Sequence, residues 1–216
     1  MDFAAVAHDL RAPLSAMLGH TQLLAMDGVS DRGRRRLQVI EAQIHRMVTL
    51  LESCTPKSEQ PRQIGPVDLT ATIRNVVEEL EATCERRRIQ VAVSSEPCGA
   101  SVVGERNEFY RLLMNLLANA VDAMPNGGRI LVRVRQRRTR PAPTAEIFVT
   151  DTGTGIPPEV VARIFDRGFT TKPIGQGSGL GLAICQDIVR THGGAIHLRS
   201  SVGRGTTIRV RLPVSR

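Results

Sequence analysis

Four short stretches carry residue types and spacings suited to chemistry. In DTGTGIPPE, residues 151–159, Asp151 follows the apolar run Ile147-Phe148-Val149 and precedes Gly153 and Gly155. A carboxylate at a strand end, with backbone free to come close, suits recognition of an amine or hydroxyl; it equally suits a tight turn with a solvated Asp. In GQGSGLGLAI, Gly175, Gly177, Gly179 and Gly181 lead into an apolar helix with Leu182, Ile184, Ile188 and Val189. Glycines ahead of a helix start expose amide donors to an anion. The spacing is neither G-x-G-x-x-G after a strand nor GxxxxGK[ST], which disfavours a dinucleotide fold and the common P-loop. Lys172, one of two lysines in an arginine-rich chain, either reaches a phosphate from before this loop or is a solvated loop residue.

Asn115 and Asn119 are four apart and share a helix face, with Asp122 three further on. Asn disfavours helix interiors, so two in one apolar helix ask for a reason. Their oxygens suit Mg²⁺, which takes phosphate oxygens and water as well; internal hydrogen bonding or simple surface placement are the alternatives. His8-Asp9 lies roughly opposite the apolar stripe of its helix, so His8 points outward. A neutral imidazole offers one nucleophilic nitrogen, and a neighbouring acid holds the tautomer; such a pair is also common on helix surfaces. The other histidines form no metal-ligand cluster, and Cys54, Cys84, Cys98 and Cys185 are too scattered for a CxxC zinc site or an obligatory disulfide.

The elements that must position these residues fall into two units. Phe3, Val6, Leu10, Leu14, Met17, Thr21 and Leu24 recur at helical spacing over residues 3–26, with a bend expected at Pro13. A short connection over 28–33, with Ser30 or Asp31 as cap, leads to a second helix over 32–54 bearing Leu37, Ile40, Ile44, Met47 and Leu51. Two stripes near a 3.5-residue period predict an antiparallel hairpin that completes itself as a four-helix bundle in a homodimer. Residues 1–56 are read as this hairpin, the proline-containing stretch 57–66 as a linker, and 67–216 as a second domain. There the periodicity predicts helices at 69–86, 106–123 and 179–191, and strands at 89–93, 129–136, 145–151, 195–200 and 206–212. Helices against an antiparallel or mixed sheet predict a two-layer α/β sandwich, α+β overall, without fixing strand order.

The 216 residues carry a formal charge of +8, but the arginines are spread along the chain and aromatics are only 3%. A base-stacking platform is therefore disfavoured and no nucleic-acid role is expected. No apolar run approaches the ~18 residues of a membrane span. A cytoplasmic segment without membrane contact is expected. The Arg137–Arg140 region reads as an exposed hairpin end, with an acidic partner as the alternative.

Taken together, HDLRAPLSAM (8–17), NLLANAVDAM (115–124), DTGTGI (151–156), FDRGFTTK (165–172) and GQGSGLGL (175–182) resemble the sensor histidine kinases of two-component signalling, in order as well as content. The resemblance covers nearly the whole chain, as a dimerisation hairpin followed by a GHKL-type ATP-binding domain. It implies that His8 is phosphorylated by ATP with Asp9 assisting. Asn115 and Asn119 would lie at the Mg²⁺-triphosphate side, with Asn115 the metal ligand. Asp151 would bind the adenine amine, Gly153 and Gly155 would shape that wall, and Thr206 would sit near the base. Lys172 would contact phosphates, while Gly177, Gly179 and Gly181 would let a lid close. Phe165 and Phe169 would anchor that lid, and Asp122 would only support its helix. The phosphoryl group would pass to an aspartate of a response-regulator receiver domain, which docks near His8; Leu18 and Thr21 are candidate contacts. Ala12 stands where phosphatase-active members carry Asn or Thr, so regulator-phosphatase activity is expected to be weak. A chaperone-like or topoisomerase-like ATPase, an anti-sigma-type serine kinase and a non-catalytic dimeric scaffold are the competing readings.

Overall fold

The computed structural model describes residues 14, 17, 21, 30, 33, 40, 44, 47, 64–96, 101–138, 142–172 and 179–214. His8, Asp9, Ala12, Pro13, Leu18 and Gly177 lie outside the described residues. The chain divides into two compact units, Met1–Pro61 with Gly168–Gly179, and Arg62–Arg167 with Leu180–Arg216.

In the first unit Leu14, Met17, Thr21, Gly33, Ile40, Ile44 and Met47 are all helical. Ser30 accepts a hydrogen bond from the Gly33 amide at 3.3 Å, the capping expected of it. Leu14, Thr21 and Ile44 are buried, whereas Met17, Ile40 and Met47 are exposed. Three of these five described apolar positions are therefore uncovered within one chain. Burial of Thr21 corrects its reading as an accessible receiver contact.

The second unit is a two-layer sandwich. Its main sheet has five strands in the order β2-β4-β5-β7-β6, formed by β2 (Ile89–Ser95), β4 (Gly128–Arg137), β5 (Thr144–Asp151), β6 (Ala195–Ser201) and β7 (Gly205–Pro213). β2 runs parallel to β4 and the remaining pairs are antiparallel. The parallel pair needs a long crossover, which the Arg106–Asp122 helix supplies. The sheet is thus of the mixed kind, and its order was not readable from periodicity.

Alternation along the strands decides what faces the helices. Ile130, Val132 and Val134 of β4, Ala145, Ile147 and Val149 of β5, and Ile208, Val210 and Leu212 of β7 are buried on one side. Against them pack the Leu69–Arg86, Arg106–Asp122 and Gly181–Thr191 helices. In the second of these, Phe109, Leu112, Leu113, Leu116, Leu117, Ala120 and Val121 form the buried stripe, at the three- and four-residue spacing of one helix face. Asp68 caps the Leu69–Arg86 helix, accepting from the Thr70 and Ala71 amides at 2.8 and 3.1 Å.

Two strands went unread in the sequence. β1 (Ile64–Asp68) and β3 (Ser101–Glu105) form a separate antiparallel pair. Residues 64–66, taken as the end of the linker, therefore belong to a strand. Pro66 is compatible because a two-stranded pair is all edge, where a missing amide donor does no harm. A four-residue helical turn at Pro158–Val161 was also missed.

Candidate functional site

Of the polar residues singled out above, Asp151 and Thr206 meet at strand ends, and Asn115 and Asn119 face a helix start. Asp151 closes β5 on the core-facing side of the sheet, in register behind Ala145, Ile147 and Val149, and is buried. Its Oδ1 accepts from the Gly153 amide at 2.9 Å and the Thr206 amide at 3.1 Å. Burial pushes the carboxyl above its ordinary value, and these two backbone bonds offset that only in part. Thr206, also buried, begins the matching inward row of β7. Its hydroxyl lies 2.9 Å from that of Ser200 on β6, and Ser200 accepts from the Ile156 amide at 2.7 Å. Ser200 and Thr152 were not identified from sequence; nothing in their local pattern distinguishes them from ordinary surface hydroxyls.

The loop after Asp151 is fixed on both sides. Thr152 donates its amide to the Arg129 carbonyl at 3.1 Å, and its hydroxyl accepts from the Arg129 amide at 3.0 Å. Thr154 donates to the Ala123 carbonyl at 3.0 Å, and its own carbonyl accepts from Gly203 at 2.8 Å. Close backbone approach explains the glycines. At Gly153 a Cβ would come within 2.6 Å of the Ala123 carbonyl oxygen. Gly155 and Gly205 have φ of +71° and +91°, and side chains there would collide with the Ser201 and Asp151 carbonyls. The DTGTG segment and the β6–β7 turn thus pack backbone to backbone, leaving Asp151 at the base of the wall they form.

Asn115 and Asn119 are half-buried on a flank of their helix. They face Gly181, the first residue of the Gly181–Thr191 helix: a Cβ there would lie 3.6 Å from Asn115 Oδ1 and 3.9 Å from Asn119 Nδ2. Those are ordinary contact distances, so packing alone does not demand glycine; its absence of side chain keeps the approach to the helix start clear. Leu180, at that start, makes no side-chain cap, and helix-start amides are the groups an anion meets. Behind Asn115 sits Cys185, whose thiol is 3.7 Å from the Leu112 carbonyl. Burial pushes that thiol up to about 12, against the opposing pull of Asn115 and Arg111. Asn115 Nδ2 is buried without a hydrogen-bond partner of normal geometry. The donor end of that amide lies toward the buried Cys185, and Oδ1 is the end that faces Gly181. Among the described residues no group of three His, Cys, Asp or Glu can hold a metal. An all-protein cage is therefore not offered there; a single amide oxygen supplemented by phosphate and water is the mode Mg²⁺ accepts.

Asp122 is paired with Arg87 at 3.1 Å, consistent with support of the helix. Gly168 donates its amide to the Gly179 carbonyl at 3.0 Å, and Gly179 has no room for a side chain beside Gly168 and Phe169. These two residues make the neck of the segment that carries Lys172, whose amide donates to the Thr170 hydroxyl at 3.1 Å. Phe165 and Phe169 are half-buried, in keeping with packing roles. Arg167 ties the stretch before the neck to the C-terminal helix through Asp187 at 2.6 Å, a contact sequence reading did not find.

Residues 104–216 match the family described as Histidine kinase-, DNA gyrase B-, and HSP90-like ATPase, and residues 3–54 match the His Kinase A (phospho-acceptor) domain. The chain belongs to the two-component sensor histidine kinases. It is 32% identical over 224 residues to Sensor kinase CckA of Brucella abortus (strain 2308), covering 96% of this chain and 23% of that protein. It is 31% identical over 227 residues to Sensory histidine kinase/phosphatase NtrB of Rhizobium meliloti (strain 1021), covering 98% of this chain and 57% of that one. Among solved structures, Mycobacterial sensor histidine kinase MprB superposes with a TM-score of 0.60 at 35% identity, over 70% of this chain and 97% of that one. The chain thus spans about a quarter to somewhat over half of the curated relatives named here. The ATPase family carries ATP binding with it, and among the described residues no helix is long and apolar enough to cross a membrane.

Proposed function

We propose that this chain is the catalytic part of a protein-histidine kinase that phosphorylates its own His8 from ATP and passes the group to an aspartate of a response-regulator receiver domain. The reading is carried by one observation. A buried carboxylate, Asp151, is wired through Oδ1 to two backbone amides in the same unit that sets Asn115 and Asn119 against an uncapped helix start. Both bonds fall on Oδ1, so Oδ2 is the oxygen offered to the exocyclic amine of adenine. Thr206 and the Gly153–Gly155 wall then flank the base. The triphosphate lies toward Asn115, Asn119 and Gly181, where helix-start amides meet its charge; by their place in the family's motifs, Gly177 and Gly179 serve the lid and Lys172 supplies a cation. Asn115, through its amide oxygen, is the residue that would hold Mg²⁺, which would supply charge neutralisation at the phosphates.

In the transfer, an imidazole nitrogen of His8 forms a bond to the γ-phosphorus as the bond to the β,γ-bridging oxygen breaks, and ADP leaves. Asp9 holds the other ring nitrogen and stabilises the charge that develops there. The protein's main contribution is alignment and charge stabilisation. Residues 1–56 serve as the phospho-acceptor hairpin, 57–66 largely as linker, and 67–216 as the ATP-binding domain. Met17, Ile40 and Met47, exposed in the single chain, are apolar positions that a second copy covers in a four-helix bundle.

The deciding test is incubation with γ-labelled ATP and Mg²⁺. Label should appear on the protein, be acid-labile and base-stable, vanish in His8→Gln, and move to an added receiver domain. Acid-stable label on Ser or Thr, or label retained in His8→Gln, overturns the reading.

A further inference from the structure

The face of the five-stranded sheet turned away from the helices carries an arginine cluster that nucleotide chemistry does not use. On β4 the outward positions include Leu131, Arg133, Arg135 and Arg137; on β7 they include Arg209 and Arg211. Between them β5 contributes Glu146 and Phe148. Glu146 is only 1% exposed, yet four guanidiniums converge on it: Arg135 at 2.9 Å, Arg137 at 3.4 Å, Arg211 at 3.6 Å, and Arg209 in a shorter contact. Arg135 and Arg209 also lie over the Phe148 ring, at 4.7 and 5.7 Å from its centroid.

One buried carboxylate needs one or two cationic partners. Four against one leave three positive charges in excess, and exposed Arg133 and, on β6, Arg199 raise the excess to five. Among the strand residues on this face Glu146 is the single acid. Like charges packed this closely repel one another, a cost the fold does not need for its own stability. Glu146 acts as a central anchor that holds the surrounding arginines in place, with the Arg137 and Arg211 side chains 51% and 42% exposed. Burial alone would raise its pKa, but the hydrogen bonds from Arg209 and Arg135 prevail and lower it, so it stays ionised in that role. Arg137 and Arg138 continue the positive charge into the β4–β5 hairpin end.

We propose that this outer sheet face is a docking surface for an acidic protein partner, gripped by Arg133, Arg137, Arg199 and Arg211 around the Glu146 anchor. Charge complementarity selects an anionic occupant. Dimensions and chemistry select protein over nucleic acid. The cluster spans three to four strands and about five residues along them, roughly 14 Å each way; that meets only a few phosphates of a duplex. Its aromatic ring is already covered by guanidiniums and offers no free face for a base. Arginine forks suit carboxylates bidentately. The surface stands independently of the nucleotide site.

The test uses the intact chain and fluorescent poly-L-glutamate, with a duplex oligonucleotide and phosphatidylserine vesicles as parallel probes, read by anisotropy and co-sedimentation. The double variant Arg133→Glu/Arg199→Glu alters two exposed residues outside the Glu146 contacts, and unchanged thermal unfolding verifies its fold. Poly-L-glutamate should bind the parent chain, release as salt is raised, shift amide resonances on β4, β5 and β7, and bind the variant about tenfold more weakly. No binding, equal binding to the variant, or resonance shifts confined elsewhere overturn the proposal. Tighter capture of the oligonucleotide or the vesicles than of poly-L-glutamate overturns the choice of a protein partner.

Discussion

Asp151→Asn isolates what the buried carboxylate does. The side chain is 6% exposed, and Asn keeps the oxygen that accepts from Gly153 and Thr206 at 2.9 and 3.1 Å. The backbone wiring therefore survives. The other end changes from a charged acceptor to an amide donor, which would face the donor amine of adenine. Losing a hydrogen bond to a charged group costs about 1.5–3 kcal/mol, and leaving buried donors unmet adds about 1–3 kcal/mol. A loss of about 3–4 kcal/mol corresponds to ATP binding weaker by roughly two to three orders of magnitude. Inosine triphosphate, with a carbonyl in place of that amine, should recover part of the loss. Stability should move the opposite way. Burial raises the folded-state pKa of Asp151, so the native chain holds this proton more tightly than the unfolded chain. Its contribution is present below the ordinary aspartate range and is lost as pH rises through the raised folded value. The uncharged Asn escapes that loss, and the variant should be more stable than the parent near neutrality, with the difference closing in acid. Isothermal titration with both nucleotides and urea midpoints across pH supply the two readouts. Unchanged ATP affinity in a folded variant, or a variant less stable at neutral pH, would refute the reasoning.

Gly205→Ala should cost about 2–4 kcal/mol in a urea midpoint, because φ is +91° and the methyl would meet the Asp151 carbonyl. Gly203→Ala in the same turn, at φ +74° with open space around it, should cost only about 1 kcal/mol. Glu146→Gln should destabilise by roughly 2–4 kcal/mol at neutral pH, since it leaves partly exposed arginines without their common anion. Because the folded Glu146 pKa is lowered, the parent's advantage should vanish as pH falls through that lowered value, which acid-titrated unfolding will show. Asn115→Ala should slow phosphorylation by about 100-fold with unfolding nearly unchanged, as single-turnover labelling will report. Decay of phosphorylated receiver should not be accelerated by the parent chain, given Ala12; marked acceleration would refute that expectation.

Legibility in the sequence followed the range of the interactions involved. The long helices were readable because their stripes repeat every three or four residues; Phe109 to Val121 is a single uninterrupted face. β4, β5 and β7 were readable because one side alternates apolar residues without a break. Asp151 stood out because it follows the apolar run Ile147-Phe148-Val149 and precedes two glycines; that it points inward is decided by the sheet. β1 was missed because Gly65 and Pro66 carry the local marks of a loop, and only pairing with β3 makes them a strand. Thr21 was named as a candidate receiver contact from its place on the first helix, whereas its burial depends on what packs over it.

Residue order alone determined the two-part organisation, the helix faces, the carboxylate at a strand end and the glycines that precede a helix, because each is dictated by contacts between near neighbours along the chain. Tertiary structure decided which distant residues serve those motifs. It set Thr206 and Ser200 beside Asp151, brought Gly205 up against its carbonyl, placed Gly181 over Asn115, and gathered four arginines from two strands onto Glu146. Those juxtapositions depend on strand order and register, which arise from packing the whole sheet at once and leave no local trace in the sequence.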